Sequence, residues 1–261
     1  MRILFITQDD PFYVRIFFTE FFKRYEHLEE IVGVVIVQAM GKKSIVQLAR
    51  QMYDFYGPVD FVRMGLKFMT YKCLSIISRF LPLTETYSLA DLCRRYGVQV
   101  MFAEDINASP FLSELKAQTL DLIISVAAPS IFKDELIALP SKGCINIHNG
   151  KLPNYRGMLP NFWQMYHGEK NIGITVHEIN SNIDEGRIIL QEDVKILSDE
   201  TLDSLIRRTK KIAARIMIKA VDKFRTGKLN YRENSAQEGS YFSFPTSKDV
   251  REFKRRGKRL M

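Results

Sequence analysis

The chain has 261 residues, 46% of them hydrophobic, which suffices for one sizeable core with an appendage. Its three cysteines, Cys73, Cys93 and Cys144, are odd in number and scattered, which excludes a disulfide framework or metal-ligand spacing and fits a reducing, cytoplasmic setting. No apolar run approaches a membrane span, the N-terminal one is too short for a signal peptide, and there is neither an internal repeat nor a low-complexity tract. The net charge of +8 gathers at the end, where Lys248 to Met261 hold seven Lys/Arg against two Asp/Glu. Such a tail could meet tRNA, a phosphorylated sugar carrier or a membrane surface; a solvated terminal segment is the expectation.

Residues 2–7 read as an apolar strand, and Gln8-Asp9-Asp10-Pro11 turns into a Phe-rich helix over 12–25, with the two aspartates as caps. Residues 31–37 are nearly all apolar and β-branched, the pattern of a parallel strand covered on both faces. No Gly-x-Gly-x-x-Gly follows the first strand, so NAD is not expected. The stretch 41–82 reads as a helical insertion: one helix over 44–56, a break at Gly57-Pro58, and a second over 60–81 stopped by Pro82. In that second helix Arg63, Lys67, Lys72 and Arg79 interrupt an apolar surface of Phe61, Leu66, Phe68, Met69, Leu74, Ile76 and Ile77. A packed amphipathic helix with snorkelling cations is the expectation, and a peripheral membrane contact through 60–81 or a lid over a substrate the alternatives.

A helix over 88–96 ends at Gly97, a strand spans 98–102, a short helix 107–117 and a buried strand 120–126. The turn Ala127-Ala128-Pro129-Ser130-Ile131 lies where an open α/β sheet places ligands. A short helix over 133–139 precedes the strand Cys144-Ile145-Asn146-Ile147-His148; a helix over 158–168 contains Trp163 as a core residue. Strands follow at 172–179 and 187–196, the latter edge-like. The helix 201–225 carries a clean apolar stripe and reads as a core cover, not a site. An aromatic segment at 241–245 and a small basic helix from Asp249 complete the chain.

The chemistry-bearing stretch is Gly143 to Gly186. Asn146 and His148, two apart on a strand, share a face, and the polar loop 180–186 adds Asp184. The imidazole can take or give a proton near neutral pH, the amide can donate to an oxyanion, and the carboxylate can orient the imidazole. That set suits attack by an amine on an activated acyl carbon through a tetrahedral intermediate without a protein nucleophile. On residue types alone a satisfied structural His148 is the default reading. His177 reads as a supporting or structural group, His27 as a loop residue, and His167 carries no assigned chemistry.

Asn146-x-His148, Leu152-Pro153, Arg156-Gly157, Gly173-Ile-Thr-Val-His177 and Asp184-Glu185-Gly186 occur in one order and spacing. This stretch resembles the folate-dependent formyltransferase family, which includes glycinamide ribonucleotide, methionyl-tRNA and sugar-nucleotide members; the clear resemblance covers about 95–200. Many members read His-Pro-Ser-Leu-Leu-Pro, whereas this chain reads His148-Asn149-Gly150-Lys151-Leu152-Pro153. The resemblance implies formyl transfer from 10-formyltetrahydrofolate to an amine. Asn146, His148 and Asp184 would be catalytic, residues 127–131 and Ile183 would line the folate pocket, and no metal would be needed. Lys151 and Arg156 could meet an acceptor phosphate or be solvated loop cations.

The expected fold is α/β: a Rossmann-like, mostly parallel sheet with helices on both faces. A catalytic domain over 1–200 carries the insertion, and 201–261 form a C-terminal helix and basic extension. Methionyl-tRNA members carry a further C-terminal domain, so a nucleotide-linked amino sugar is the leading acceptor, with tRNA less favoured. A formyltetrahydrofolate hydrolase is a further alternative, although those relatives carry an N-terminal regulatory domain, and a non-catalytic binding module would lack part of the trio. The sequence assigns no oligomeric state.

Overall fold

Apolar runs without alternation demand cover on both faces, and the computed structural model supplies it. It describes residues 1–37, 44–78, 80–81 and 85–261. Arg79, Pro82 and the start of the expected insertion at 41–43 lie outside the described residues. Strands β1 (Ile3–Gln8), β2 (Ile31–Val37), β3 (Val100–Ala103), β4 (Leu122–Val126) and β5 (Cys144–His148) pair in parallel. A two-residue strand, β6 (Arg156–Gly157), intervenes before β7 (Asn171–Glu178) and β8 (Ile188–Lys195), which close the sheet antiparallel. The order is β3-β2-β1-β4-β5-β7-β8, with β8 at the edge. The chain winds one way from β1 and the other way from β4, so a crevice opens at the carboxyl ends of these neighbouring strands.

Helices cover both faces, as expected. One face buries α1 (Val14–Arg24), α3 (Leu89–Arg95), α6 (Pro160–Tyr166), α7 (Leu202–Thr226) and α8 (Ser247–Arg255). The other takes α4 (Ser109–Lys116) and α5 (Asp134–Ile137) through Leu112, Leu115 and Leu136. The Phe-rich pattern of α1 is a packing device: Phe5 of β1 meets Phe18 and Phe21 edge-on at centroid distances of 5.3 and 5.0 Å. Helix α1 starts at Val14 rather than Phe12, because the Asp10 carboxylate accepts from the Phe12 and Tyr13 amides at 2.7 and 3.2 Å. Asp9 is instead 3.6 Å from the Lys72 ammonium.

Helix α2 (Ile45–Ile77) bends at Gly57, whose φ of 75° and ψ of 173° break the helix where Gly57-Pro58 predicts it. Residues 201–261 share the main core: Val250, Phe253 and Leu260 are buried in it, and Phe253 stacks on Phe162 at 4.6 Å. Two details escape the sequence patterns. Helix α8 starts at Ser247 because Thr246 caps it reciprocally with Asp249. The Arg156–Gly157 turn pairs with β9 (Tyr241–Phe242), which returns the C-terminal segment to the loop after β5.

Because Phe5 is fully buried at the centre of this packing, Phe5→Ala is expected to cost about 3–5 kcal/mol in urea unfolding. A loss below about 1 kcal/mol would place the core elsewhere.

Candidate active site

The ladder between β5 and β7 builds the site. Asn146 lies opposite His177 and His148 opposite Thr175, so antiparallel pairing delivers a second imidazole beside the amide. His177 donates from Nδ1 to its neighbour's carbonyl, Glu178 O, at 2.7 Å, which leaves Nε2 to accept from the Asn146 amide at 3.1 Å. His148 is buried; its Nε2 donates to the Tyr155 carbonyl at 2.7 Å and its Nδ1 lies 3.6 Å from Asp184 Oδ2. The other carboxylate oxygen of Asp184 lies 3.5 Å from His177 Nε2, and the Gly157 amide donates to Oδ2 at 2.9 Å. One carboxylate thus faces two imidazoles and a backbone amide.

The electrostatics follow from this packing. Burial pushes the His148 imidazole below its ordinary value, against the opposing pull of Asp184 and the Tyr155 carbonyl. Burial alone would raise Asp184, but His148, His177 and the Gly157 amide outweigh it and hold the carboxyl well below the usual carboxylate range. A neutral imidazole beside an ionised carboxylate results. With Nε2–H given to Tyr155, the lone pair of His148 sits on Nδ1 and is free to take a proton there.

The loop that presents Asp184 is tightly pinned. Asp184 adopts φ 54°, in the left-handed region. A Cβ on Gly186 would come within 1.8 Å of the Glu178 carbonyl oxygen, so only glycine fits the close return of the loop onto β7. Asn234 donates to the carbonyls of Asp184 and Gly186 at 2.8 and 2.9 Å. Arg156 pairs with Glu185 and donates to Ala236 O at 3.2 Å.

Residues 94–221 match the family model described as formyl transferase. A methionyl-tRNA formyltransferase of Caldanaerobacter subterraneus is 32% identical over 152 residues, 58% of this chain and 49% of that protein. That of Kosmotoga olearia is 30% identical over 159 residues, 61% of this chain and 51% of that protein. The chain spans about half the length of the curated relatives it matches.

Residues 94–221 belong to the formyltransferase family.

Solved structures agree on the fold. Glycinamide ribonucleotide transformylase 1 of Symbiobacterium toebii superposes with a TM-score of 0.61 at 18% identity, covering 90% of this chain and 94% of that one. A 4-N formyltransferase of Francisella tularensis gives 0.56 at 19% identity, covering 93% and 76%. In this fold the turn 127–131 leaves the carboxyl end of β4, beside the β5 end that carries His148, with Ala127 in the left-handed region at φ 53°. Ile131 and Ile183 are both exposed.

Both loop cations have acidic partners. Lys151 reaches Asp193 Oδ2 at 2.6 Å on β8, and Arg156 is buried, committed to the Asp184 loop. The departure at Asn149-Gly150 has a local logic. The Asn149 amide donates to Thr209 Oγ1 on α7 at 3.2 Å, and a Cβ on Gly150 would lie 2.5 Å from His148 Nε2. Helix α7, read from sequence as a core cover only, therefore also bounds the site. Its Lys210 is depressed by burial and lies within electrostatic reach of His148 and of Asp10 at the end of β1. Asn234 and Lys210 carried no motif; their role is set by long-range packing alone.

The arrangement predicts the titration of His148. Followed by NMR, its midpoint lies below 6.5, and Asp184→Asn, which removes the charge that favours the imidazolium, moves it lower still. An upward shift in that variant would contradict the geometry.

Proposed function

We propose that this chain transfers a formyl group from 10-formyltetrahydrofolate to an amine acceptor. The observation that carries the reading is the ionised Asp184 beside the neutral, proton-accepting Nδ1 of His148, at the carboxyl edge of the sheet. Asn146 uses one amide hydrogen on His177 and keeps the other for an oxygen on which negative charge develops. His148 takes the proton that the attacking amine must lose, and Asp184 stabilises the imidazolium so formed. Cys144 offers no competing route: it is buried and its thiol is pushed up to about 12. The transfer is therefore direct, amine to formyl carbon. The turn 127–131 and Ile183 are assigned to the folate, which supplies the activated formyl group when bound.

For the acceptor we favour a nucleotide-linked amino sugar. The half-buried Lys210, within electrostatic reach of Asp10, is assigned to an anionic group next to the amine. Sugar N-formyltransferase structures support this reading; the one from Shewanella superposes over 93% of this chain with a TM-score of 0.56 at 17% identity. Methionyl-tRNA is the second reading, favoured by the 30–32% identity of the curated relatives over their matched half.

Tetrahydrofolate release against a panel of amino-sugar nucleotides and Met-tRNA separates the two. Release with an amino sugar and none with Met-tRNA is expected; the reverse would overturn the acceptor, and binding of no folate would overturn the reaction. His148→Asn is expected to lower kcat by about a thousandfold. The acid limb of kcat/KM falls below pH 6.5, because protonating His148 removes the base. Lys210→Met is expected to raise the acceptor KM about tenfold while leaving the donor KM unchanged; an equal effect on both would remove Lys210 from the acceptor side.

A further inference from the structure

Among the described residues, the outward face of α2 stands open to solvent. Val59, Val62, Leu66, Met69, Cys73 and Ile76 recur at alternating steps of three and four, all are exposed, and Phe80, just past the end of the helix, is exposed as well. From Val59 to Ile77 the stripe runs about 27 Å along the helix. The inward face is what holds the helix to the body. Phe68 and Tyr71 meet Phe12 at 6.3 and 5.7 Å, Lys67 lies 3.7 Å from Asp203, and Ser75 donates to Asp91 at 3.2 Å. The packed amphipathic helix expected from sequence is thus half the picture: Phe61 and Leu74 turn inward, whereas Leu66, Met69, Ile76 and Ile77 do not. An apolar strip of this length in water marks a surface built to be covered.

Charge selects the cover. Between residues 59 and 81 the sequence holds one acid, Asp60, and it is paired with Arg63 at 3.2 Å. Arg63 and Lys72 flank the stripe, both exposed. At its N-terminal end Arg63 borders a groove shared with Lys254, Lys258 and Arg259 of the basic C-terminal segment. A second copy of the chain would bring these same cations to the contact, so like charge opposes self-pairing. An apolar strip rimmed by cations fits a surface that is apolar beneath and anionic on top.

We infer that α2 and the adjoining basic segment form a docking surface for an anionic lipid membrane, with Leu66 and Met69 entering the headgroup boundary and Arg63, Lys72, Lys254 and Lys258 meeting lipid phosphates. The inward face of the same helix contacts Phe12, next to Asp10, so docking sets the mouth of the crevice beside the headgroups. This inference is independent of the proposed reaction.

Co-sedimentation of the full chain with vesicles tests it. Binding is expected to phosphatidylcholine vesicles that contain phosphatidylglycerol, weakened by salt, and not to phosphatidylcholine alone. Leu66→Glu with Met69→Glu, and separately Lys254→Glu with Lys258→Glu, are each expected to weaken binding about tenfold, with unchanged thermal unfolding. Failure to bind the anionic vesicles would overturn the inference. So would binding that survives the Leu66/Met69 change, which would leave only a basic tail. A dimer in sedimentation velocity that the same change dissociates would assign the stripe to a second copy instead.

Discussion

The carboxylate of Asp184 is the constraint around which the site is built. An ionised carboxyl taken out of water without partners costs several kcal/mol, so the fold must bring partners to it. The Gly157 amide donates to it and two imidazoles lie against it, and each arrives from a different element: His148 from β5, His177 from β7, Gly157 from β6. The loop must also hold a left-handed residue at Asp184 and a return at Gly186 that leaves no room for a Cβ. Asn234 and Arg156 fix that backbone, and β9 fixes the segments that carry them.

Sheet topology explains why the parts meet. Parallel strands β1, β4 and β5 all end on one edge, and the order switch between β1 and β4 opens the crevice there. The antiparallel step to β7 places His177 against Asn146 by register alone. Helix α7 spans both functions: its apolar stripe closes the core through Ala213, Met217 and Ala220, while the buried Thr209 holds the Asn149 amide beside His148. A single helix thereby couples core packing to the position of the loop after His148.

What was legible in the sequence was local. The strands of the parallel sheet show as apolar runs, the α7 helix as a 3.6-residue stripe and the α2 break as Gly57-Pro58, whereas the trio shows only through the resemblance of its stretch to the formyltransferase family. What was not legible depends on contacts far apart in the chain. Asn234 lies 50 residues from Asp184, and no pattern around it announces that its amide caps the loop. The β6–β9 ladder is two residues long on each side, too short for any periodicity to show. Arg156 reads from the sequence as an acceptor contact or a solvated loop cation, whereas tertiary packing buries it against Glu185. The stripe on α2 is visible in the sequence, but which of its two apolar faces meets the core is decided only by where Phe12, Asp203 and Asp91 sit.

The central claim is that the amine attacks the formyl carbon directly while a neutral imidazole governed by one carboxylate takes its proton, with no covalent protein intermediate. Single-turnover rapid quench with a formyl-labelled donor and an accepted amine tests it most directly. The account predicts label passing from donor to acceptor with none on the protein at any time, and no transfer in Asp184→Ala on the native timescale. Transient label on the protein, or native-rate transfer without the Asp184 carboxylate, would contradict it.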